Sequence, residues 1–334
     1  MRRRPVGRWR RTALAVLIAS AVAVPVAGAA RPRTPAPAPA TPVPPTAATL
    51  DAIYAAHRAG AGEAARTAAA HGDRRRAAAD RALADPSRQL LAFDGRGPGR
   101  VTEVLGDLAR ADRVAVLVPG SDTGLDTYGR FRAAAVALHE RLTLPRPRLR
   151  SSGGTPMAPA GTRTAVVAWL GYETPGTIGT AVATTDRAER AAPGLRSLVA
   201  DLRTVTGQRS RISLLCHSYG SVVCARAAAG LDVDDIVLVG SPGTGADTAA
   251  DLRTRARIWA ARGAGDWVEH VPHLSAELLG TTVGFGTDPV SPDFGARVFA
   301  AGDGGHSDYF APGSTSLANL TRIVLGETEA VTHE

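Results

Sequence analysis

From Arg113 onward, short continuous apolar runs alternate with stretches of helical periodicity. RVAVLV (113–118) precedes a helical run over 126–142, TRTAVVAWLG precedes one over 188–205, and RISLLC precedes one over 221–230. DDIVLVG leads into a short helical segment near 247–251, and TRARIWAARG and ARVFAAG complete the series. Apolar runs this short and this continuous are strands buried on both faces. Their alternation with helices predicts an α/β fold, a mostly parallel sheet covered by helices on both sides. The loops at the carboxyl ends of such strands are where chemistry is usually placed.

Before that series the pattern differs. QLLAF (89–93) and RVTEVL (100–105) flank a stretch containing Gly95, Gly97 and Gly99, which predicts a hairpin. Residues 48–85 are rich in Ala, Arg and Glu with no strand-like run, and predict one or two helices packed on the body. The segment 144–161, crowded with Pro, Ser and Gly, reads as a mobile surface loop. Residues 31–46 alternate Pro with Ala and Thr, which predicts an extended, semi-rigid spacer standing clear of the folded body.

Composition and charge change the picture mainly at the amino end. The chain has 334 residues, 44% of them hydrophobic, enough for one large core. All 39 basic residues are arginine, which fits a codon bias rather than a chemical role. The first eleven residues, MRRRPVGRWRR, hold six arginines and no acid; an apolar run follows and ends in Ala27-Gly28-Ala29. That is the pattern of a cleavable export signal, with Sec and twin-arginine routes both open and an uncleaved anchor as the alternative. Removing those six arginines takes the net charge from +8 to +2, which excludes a basic nucleic-acid binder on charge grounds. The expected organisation is a signal peptide at 1–29, a disordered linker at 30–47, a helical segment at 48–88 and a catalytic domain at 89–328. The only cysteines, Cys216 and Cys224, lie on a strand end and the next helix, and read as small buried thiols rather than a disulfide.

The candidate chemistry centres on LLCHSYGS (214–221). Ser218 follows an apolar strand and precedes a helix, the context of a nucleophile elbow, although Cys216 stands where G-x-S-x-G has its first glycine. Strand and helix approach closely at such a turn, so a small cysteine fits there, and Gly220 is retained. A serine hydroxyl needs a base, and the base needs a group to fix its tautomer. His306, in the glycine-rich loop AAGDGGHSDYF after the last strand, is the expected base. His217 adjoins the serine at a tight turn and points away. His57, His71 and His139 fall in helices on the amino side. His270 and His273 have a metal-like spacing but no further ligands, and read as surface or packing residues. Asp266, after the next-to-last strand, is the expected acid, with Asp288 in GFGTDPV as competitor. Oxyanion donors are expected from the backbone N–H of Tyr219 and from Ser121 in VPGSDTG, with Gly120 as the near alternative.

From about Gln89 to Tyr309 the chain resembles the α/β-hydrolase superfamily, and within it a largely uncharacterised family of secreted bacterial proteins. The matching pieces are VLVPGSDT, AWLGYETP, the HSYGS elbow, GSPGTGA, GTDP with FGA, and the closing GHSDY. The resemblance implies the α/β-hydrolase fold and a triad of Ser218, Asp266 and His306; it implies no substrate. The expected function is a secreted serine hydrolase acting on a small-molecule or lipid-like carboxylic ester through an acyl-enzyme, with no cofactor and no metal. A non-catalytic secreted binding protein on the same scaffold and an acyltransferase are the alternatives.

Overall fold

The computed structural model describes residues 35–144, 161–176, 184–271, 275–278 and 281–333. The expected signal peptide and most of the 144–161 loop lie outside the described residues. Two helices, α1 (Leu50–Ala70) and α2 (Arg74–Leu83), precede a hairpin of β1 (Gln89–Asp94) and β2 (Arg100–Leu105). Then come β3 (Arg113–Val118), α3 (Tyr128–Thr143), β4 (Thr164–Leu170), α4 (Asp186–Thr206), β5 (Arg211–His217), α5 (Gly220–Ala227) and β6 (Asp235–Val239). The chain closes with β7 (Arg257–Ala261), a separate pair β8 (Ser275–Leu278) and β9 (Thr281–Gly284), then β10 (Arg297–Val298) and α6 (Thr315–Leu325).

Eight strands form one sheet in the order β1-β2-β4-β3-β5-β6-β7-β10. β2 runs antiparallel to both β1 and β4, and every other pair is parallel. β4 and β6 are buried along their whole length, as strands covered on both faces must be. One apolar layer joins the sheet to α4, α5 and the first turns of α1, and the other joins it to α3, α6 and the later part of α1. α1 can serve both because it passes the edge strand β1, with small residues such as Ala61 and Ala64 allowing close approach.

At the amino ends of the central strands, the fully buried carboxylate of Asp235 on β6 accepts from Arg257 and Trp259 of β7 and from Arg211 and Ser213 of β5. This network holds three neighbouring strands in register. The register then levels their carboxyl ends, pairing Val118 with Cys216, His217 with Val239, and Val239 with Ala261.

The structure departs from the sequence reading at several points. The segment near 247–251 makes only a single 3-10 turn at Ala250–Leu252, and the helix after the elbow ends at Ala227. ARVFAA contributes two residues of regular pairing, continued by the Phe299 N–H donating to the Ala260 carbonyl. Residues 35–46, expected to stand clear of the body, instead lie along it: Pro37 and Ala38 border Phe93 and Gly95, and Thr49 donates its hydroxyl to the Pro44 carbonyl. An extended proline segment has no internal hydrogen bonds, so its rings are free to pack on apolar surface.

The cysteine expectation is also overturned, because Cys216 and Cys224 form a disulfide with Cα atoms 6.4 Å apart. The chain reverses at Ser218, so α5 runs back along β5 and brings Cys224 within bonding range of Cys216. The bond ties the strand that ends at the serine to the helix that begins after it. Replacing both cysteines by alanine should cost about 2–3 kcal/mol of stability through lost loop restraint and lower the melting temperature by about 3–5 °C. Thermal unfolding by circular dichroism, with and without reductant, measures this; the variant should be indifferent to reductant.

Candidate active site

Ser218 is the turn residue between β5 and α5, with φ of 54°, one of three non-glycine residues among those described with positive φ. Its backbone N–H donates to the Val239 carbonyl on β6, which fixes the turn to the neighbouring strand. Two positions away Gly220 is obligatory, since a Cβ there would lie 2.5 Å from the Val118 carbonyl oxygen. Cys216 is fully buried, and its sulfur is turned into the disulfide rather than crowding that turn.

The three residues proposed from sequence come together. His306 Nε2 lies 2.9 Å from Ser218 Oγ, and His306 Nδ1 lies 2.9 Å from Asp266 Oδ1 and 3.1 Å from Oδ2. With Nδ1–H donating to the carboxylate, Nε2 is left to accept the serine proton, which is the tautomer a general base requires. Asp266 follows β7, sits at the start of the 3-10 turn Trp267–His270 and is 2% exposed. Burial alone would raise its pKa, but hydrogen bonds from His306, the Tyr309 hydroxyl and the Val268 N–H outweigh that and hold it below the usual carboxylate range. The competitor Asp288 is instead paired with the Arg262 guanidinium.

Tyr309 is a site residue that the sequence argument passed over, although it closes the quoted GHSDY motif. Its hydroxyl donates to Asp266 Oδ2 and accepts the Gly263 N–H at 3.1 Å. Burial and the adjacent carboxylate push the phenol pKa up, so the hydroxyl keeps its proton and remains a donor. His217, judged a poor base, makes no bond to the serine; its Nε2–H donates to the His306 backbone carbonyl at 2.7 Å, and the two rings lie 4.8 Å apart. Burial, with His306 adding to it, pushes His217 down to about 4, so the ring is neutral near pH 7. Trp267 lies on the other flank, its ring 4.7 Å from that of His306 and its side 51% exposed.

The loop after β3 forms the opposite wall. Gly120 abuts the nucleophile so closely that a Cβ would stand 2.6 Å from Ser218 Cβ. Among the described residues the N–H groups of Gly120, Ser121 and Tyr219 make no hydrogen bond, so they are free to face a developing oxyanion. This loop is clamped by the segment after β4. The Tyr172 hydroxyl donates to the Pro119 carbonyl at 2.6 Å, the Asp122 N–H to Pro175, and the Thr123 N–H to the Thr174 hydroxyl. AWLGYETP, one of the pieces that carry the family resemblance, thus fixes these donors. A cavity of about 160 Å³ opens beside the loop, lined by Ser121, Arg130, Phe131, His217, Tyr309 and Phe310 among others.

The remaining histidines are apart from this group. His270 is exposed on its turn, His71 caps α1, His57 and His139 are half-buried on α1 and α3, and His273 lies outside the described residues. Among the described residues no cluster of His, Cys, Asp and Glu could hold a metal ion.

The chain belongs to the α/β-hydrolase family, whose model matches residues 94–276, more than half of the sequence. An uncharacterised protein of Mycobacterium tuberculosis is 29% identical over 269 residues, a match that covers 72% of this chain and 39% of the relative. An uncharacterised protein of Mycobacterium bovis is 30% identical over 189 residues, covering 53% of this chain and 66% of the relative. The chain therefore spans about two fifths of the length of the first of these. Among solved structures, an α/β serine hydrolase without a lid from Xanthomonas campestris aligns with a TM-score of 0.42 at 17% identity, over 73% of this chain and 95% of that one. The esterase LipW from Mycobacterium marinum aligns with a TM-score of 0.39 at 16% identity, over 80% and 90%.

Two outcomes follow from the supports around the Ser218, His306 and Asp266 group. Tyr309→Phe removes one donor to a buried carboxylate and should lower kcat about tenfold with KM unchanged, as steady-state kinetics on a nitrophenyl ester would report. His217 takes a proton in the unfolded chain near its ordinary pKa of about 6.5 but in the folded chain only near 4. Stability should therefore fall as pH drops through that window. Urea midpoints at pH 7 and pH 5 should differ less in His217→Gln than in the parent protein.

Proposed function

We propose that this protein is an exported serine hydrolase that cleaves carboxylic esters. The observation that carries the reading is the unbroken hydrogen-bond chain from Ser218 through His306 to Asp266. Ser218 Oγ attacks the ester carbonyl carbon while His306 Nε2 takes the hydroxyl proton, and the carbonyl electrons move onto an oxyanion that the N–H groups of Tyr219 and Ser121 receive. Collapse breaks the bond to the alkoxy oxygen, His306 returns the proton to the departing alcohol, and Ser218 is left acylated. Water then gives its proton to His306, adds to the acyl carbon, and the carboxylic acid leaves as Ser218 regains its proton. Asp266 does not change protonation state; it orients His306 and stabilises the imidazolium.

Trp267, held half-exposed against the histidine that protonates the leaving group, offers a flat apolar surface to that group. Export is supported by the arginine-rich, apolar amino end and by the Cys216–Cys224 disulfide, a bond that persists in oxidising compartments.

A fluorophosphonate probe should label the wild-type protein and leave Ser218→Ala unlabelled, and that variant should lose at least about 10³-fold in kcat/KM on nitrophenyl esters. Absence of labelling on folded wild-type protein would contradict the reading. Trp267→Ala should raise KM for aryl esters several-fold more than for methyl esters of the same acid, measured by initial rates.

A further inference from the structure

The first turn of α2 carries three consecutive arginines, 74–76, and buries one of them. Arg76 is 7% exposed, whereas Arg74 and Arg75 face solvent. A cation at that end of a helix stands against the helix dipole, and burial adds a desolvation cost, so its place calls for partners. Arg76 finds them on two separate parts of the fold. In the turn of the β1–β2 hairpin, its Nη2–H donates to the Gly97 carbonyl at 2.8 Å, and its Nη1–H reaches the Gly95 and Gly97 carbonyls at 3.4 Å each. Its Nε–H donates to Asp126 Oδ1 at 3.0 Å, in the 3-10 turn Leu125–Thr127 that ends the loop after β3. Asp80, one turn further along α2, is buried and feels the charge of Arg76, but receives none of these bonds.

The loop that Arg76 reaches is the one carrying the free N–H groups of Gly120 and Ser121, and its own bonds knit it into one piece. The Thr123 hydroxyl donates to the Ser121 carbonyl at 3.3 Å, the Thr127 hydroxyl to the Asp122 carbonyl at 3.0 Å, and the Gly124 N–H to the Thr127 hydroxyl at 3.0 Å. The segment after β4 grips the near half of this piece, at Pro119, Asp122 and Thr123. Among the described residues, the far half, 124–126, makes two hydrogen bonds beyond the loop and the helix it leads into. One is the bond from Arg76 to Asp126. The other runs from the Leu125 N–H to the Pro98 carbonyl at 3.1 Å, and Pro98 adjoins the Gly97 carbonyl that Arg76 holds. One guanidinium thus stands behind both.

We propose that Arg76 is a positioning residue for ester hydrolysis, holding the far half of the loop after β3 so that the Ser121 N–H stays aimed at the carbonyl oxygen of an ester over Ser218. The proposal rests on the hydrolase reading and extends it to α2, a helix that touches none of the reacting groups. Oxyanion donors act by being fixed before the charge develops, so a small displacement of their loop is costly in rate.

Asp126 is exposed, so it can be changed with little effect on folding. Asp126→Ala, which removes the acceptor, should lower kcat/KM on p-nitrophenyl acetate about fivefold. Asp126→Asn, whose Oδ1 still accepts from Arg76, should stay within about twofold of the parent. Arg76→Met should lose at least as much as Asp126→Ala, and the double variant no more than Arg76→Met alone. A short-chain alkyl trifluoromethyl ketone reads the aim of the donors, because its adduct with a serine places an oxyanion on them. Its inhibition constant should rise by the factor by which kcat/KM falls, both measured per folded chain well below the melting temperature. An active parent matched in kcat/KM by Asp126→Ala and Arg76→Met would overturn this proposal and leave the hydrolase reading intact. So would slower variants inhibited by the ketone as strongly as the parent, or Asp126→Asn no faster than Asp126→Ala. A folded parent with neither ester turnover nor fluorophosphonate labelling would overturn both.

Discussion

The site depends on one backbone constraint, the abrupt reversal at Ser218 between a fully buried strand and the helix that follows it. A left-handed conformation at a non-glycine residue costs about 1–3 kcal/mol, and it persists only where the surroundings overdetermine it. Here they do so from three sides. β6 accepts the Ser218 N–H, Gly220 lets the helix close onto the end of β3, and the Cys216–Cys224 bond joins the two arms of the turn. The strain is balanced by contacts that lie below the rim of the sheet, so nothing at the rim itself has to hold the hydroxyl in place.

Around that fixed hydroxyl the chemistry is arranged by loops whose starting points share one level. Register aligns the ends of β3, β5, β6 and β7, and the loop after β3, the turn after β5 and the loop after β7 need only short excursions to meet. The histidine alone comes from far along the chain, and its loop is steadied by His217, which binds its backbone carbonyl. Electrostatically, the decisive group is Asp266. An isolated buried carboxylate would take up a proton, and three donors keep it ionised instead, so that it can hold the imidazole ring and offset its positive charge.

Much of this was legible in the letters. The apolar runs gave the strands, the strand-turn-helix setting of Ser218 singled it out among many serines, and chain order after the elbow narrowed the choice to His306. Loop position favoured Asp266 over Asp288 without excluding the latter, because what distinguishes them is a tertiary fact: Arg262 occupies Asp288 and His306 meets Asp266. The disulfide was misjudged for a related reason: a separation of eight residues says little until the reversal at 218 folds the helix back on the strand. Tyr309 and the clamp of Tyr172 on Pro119 were invisible because each is a single hydroxyl reaching across the fold. The packing of residues 35–46 was missed because proline periodicity predicts extension and is silent about contact.

The central claim is that Ser218 becomes covalently acylated during turnover. Rapid acid quench of protein mixed with excess p-nitrophenyl acetate, followed by peptide mass spectrometry, tests it directly. The account predicts one acetyl group per chain, on the peptide containing Ser218, appearing together with a burst of nitrophenol. Steady release of nitrophenol with no adduct on that peptide, or acetylation confined to another residue, would contradict it.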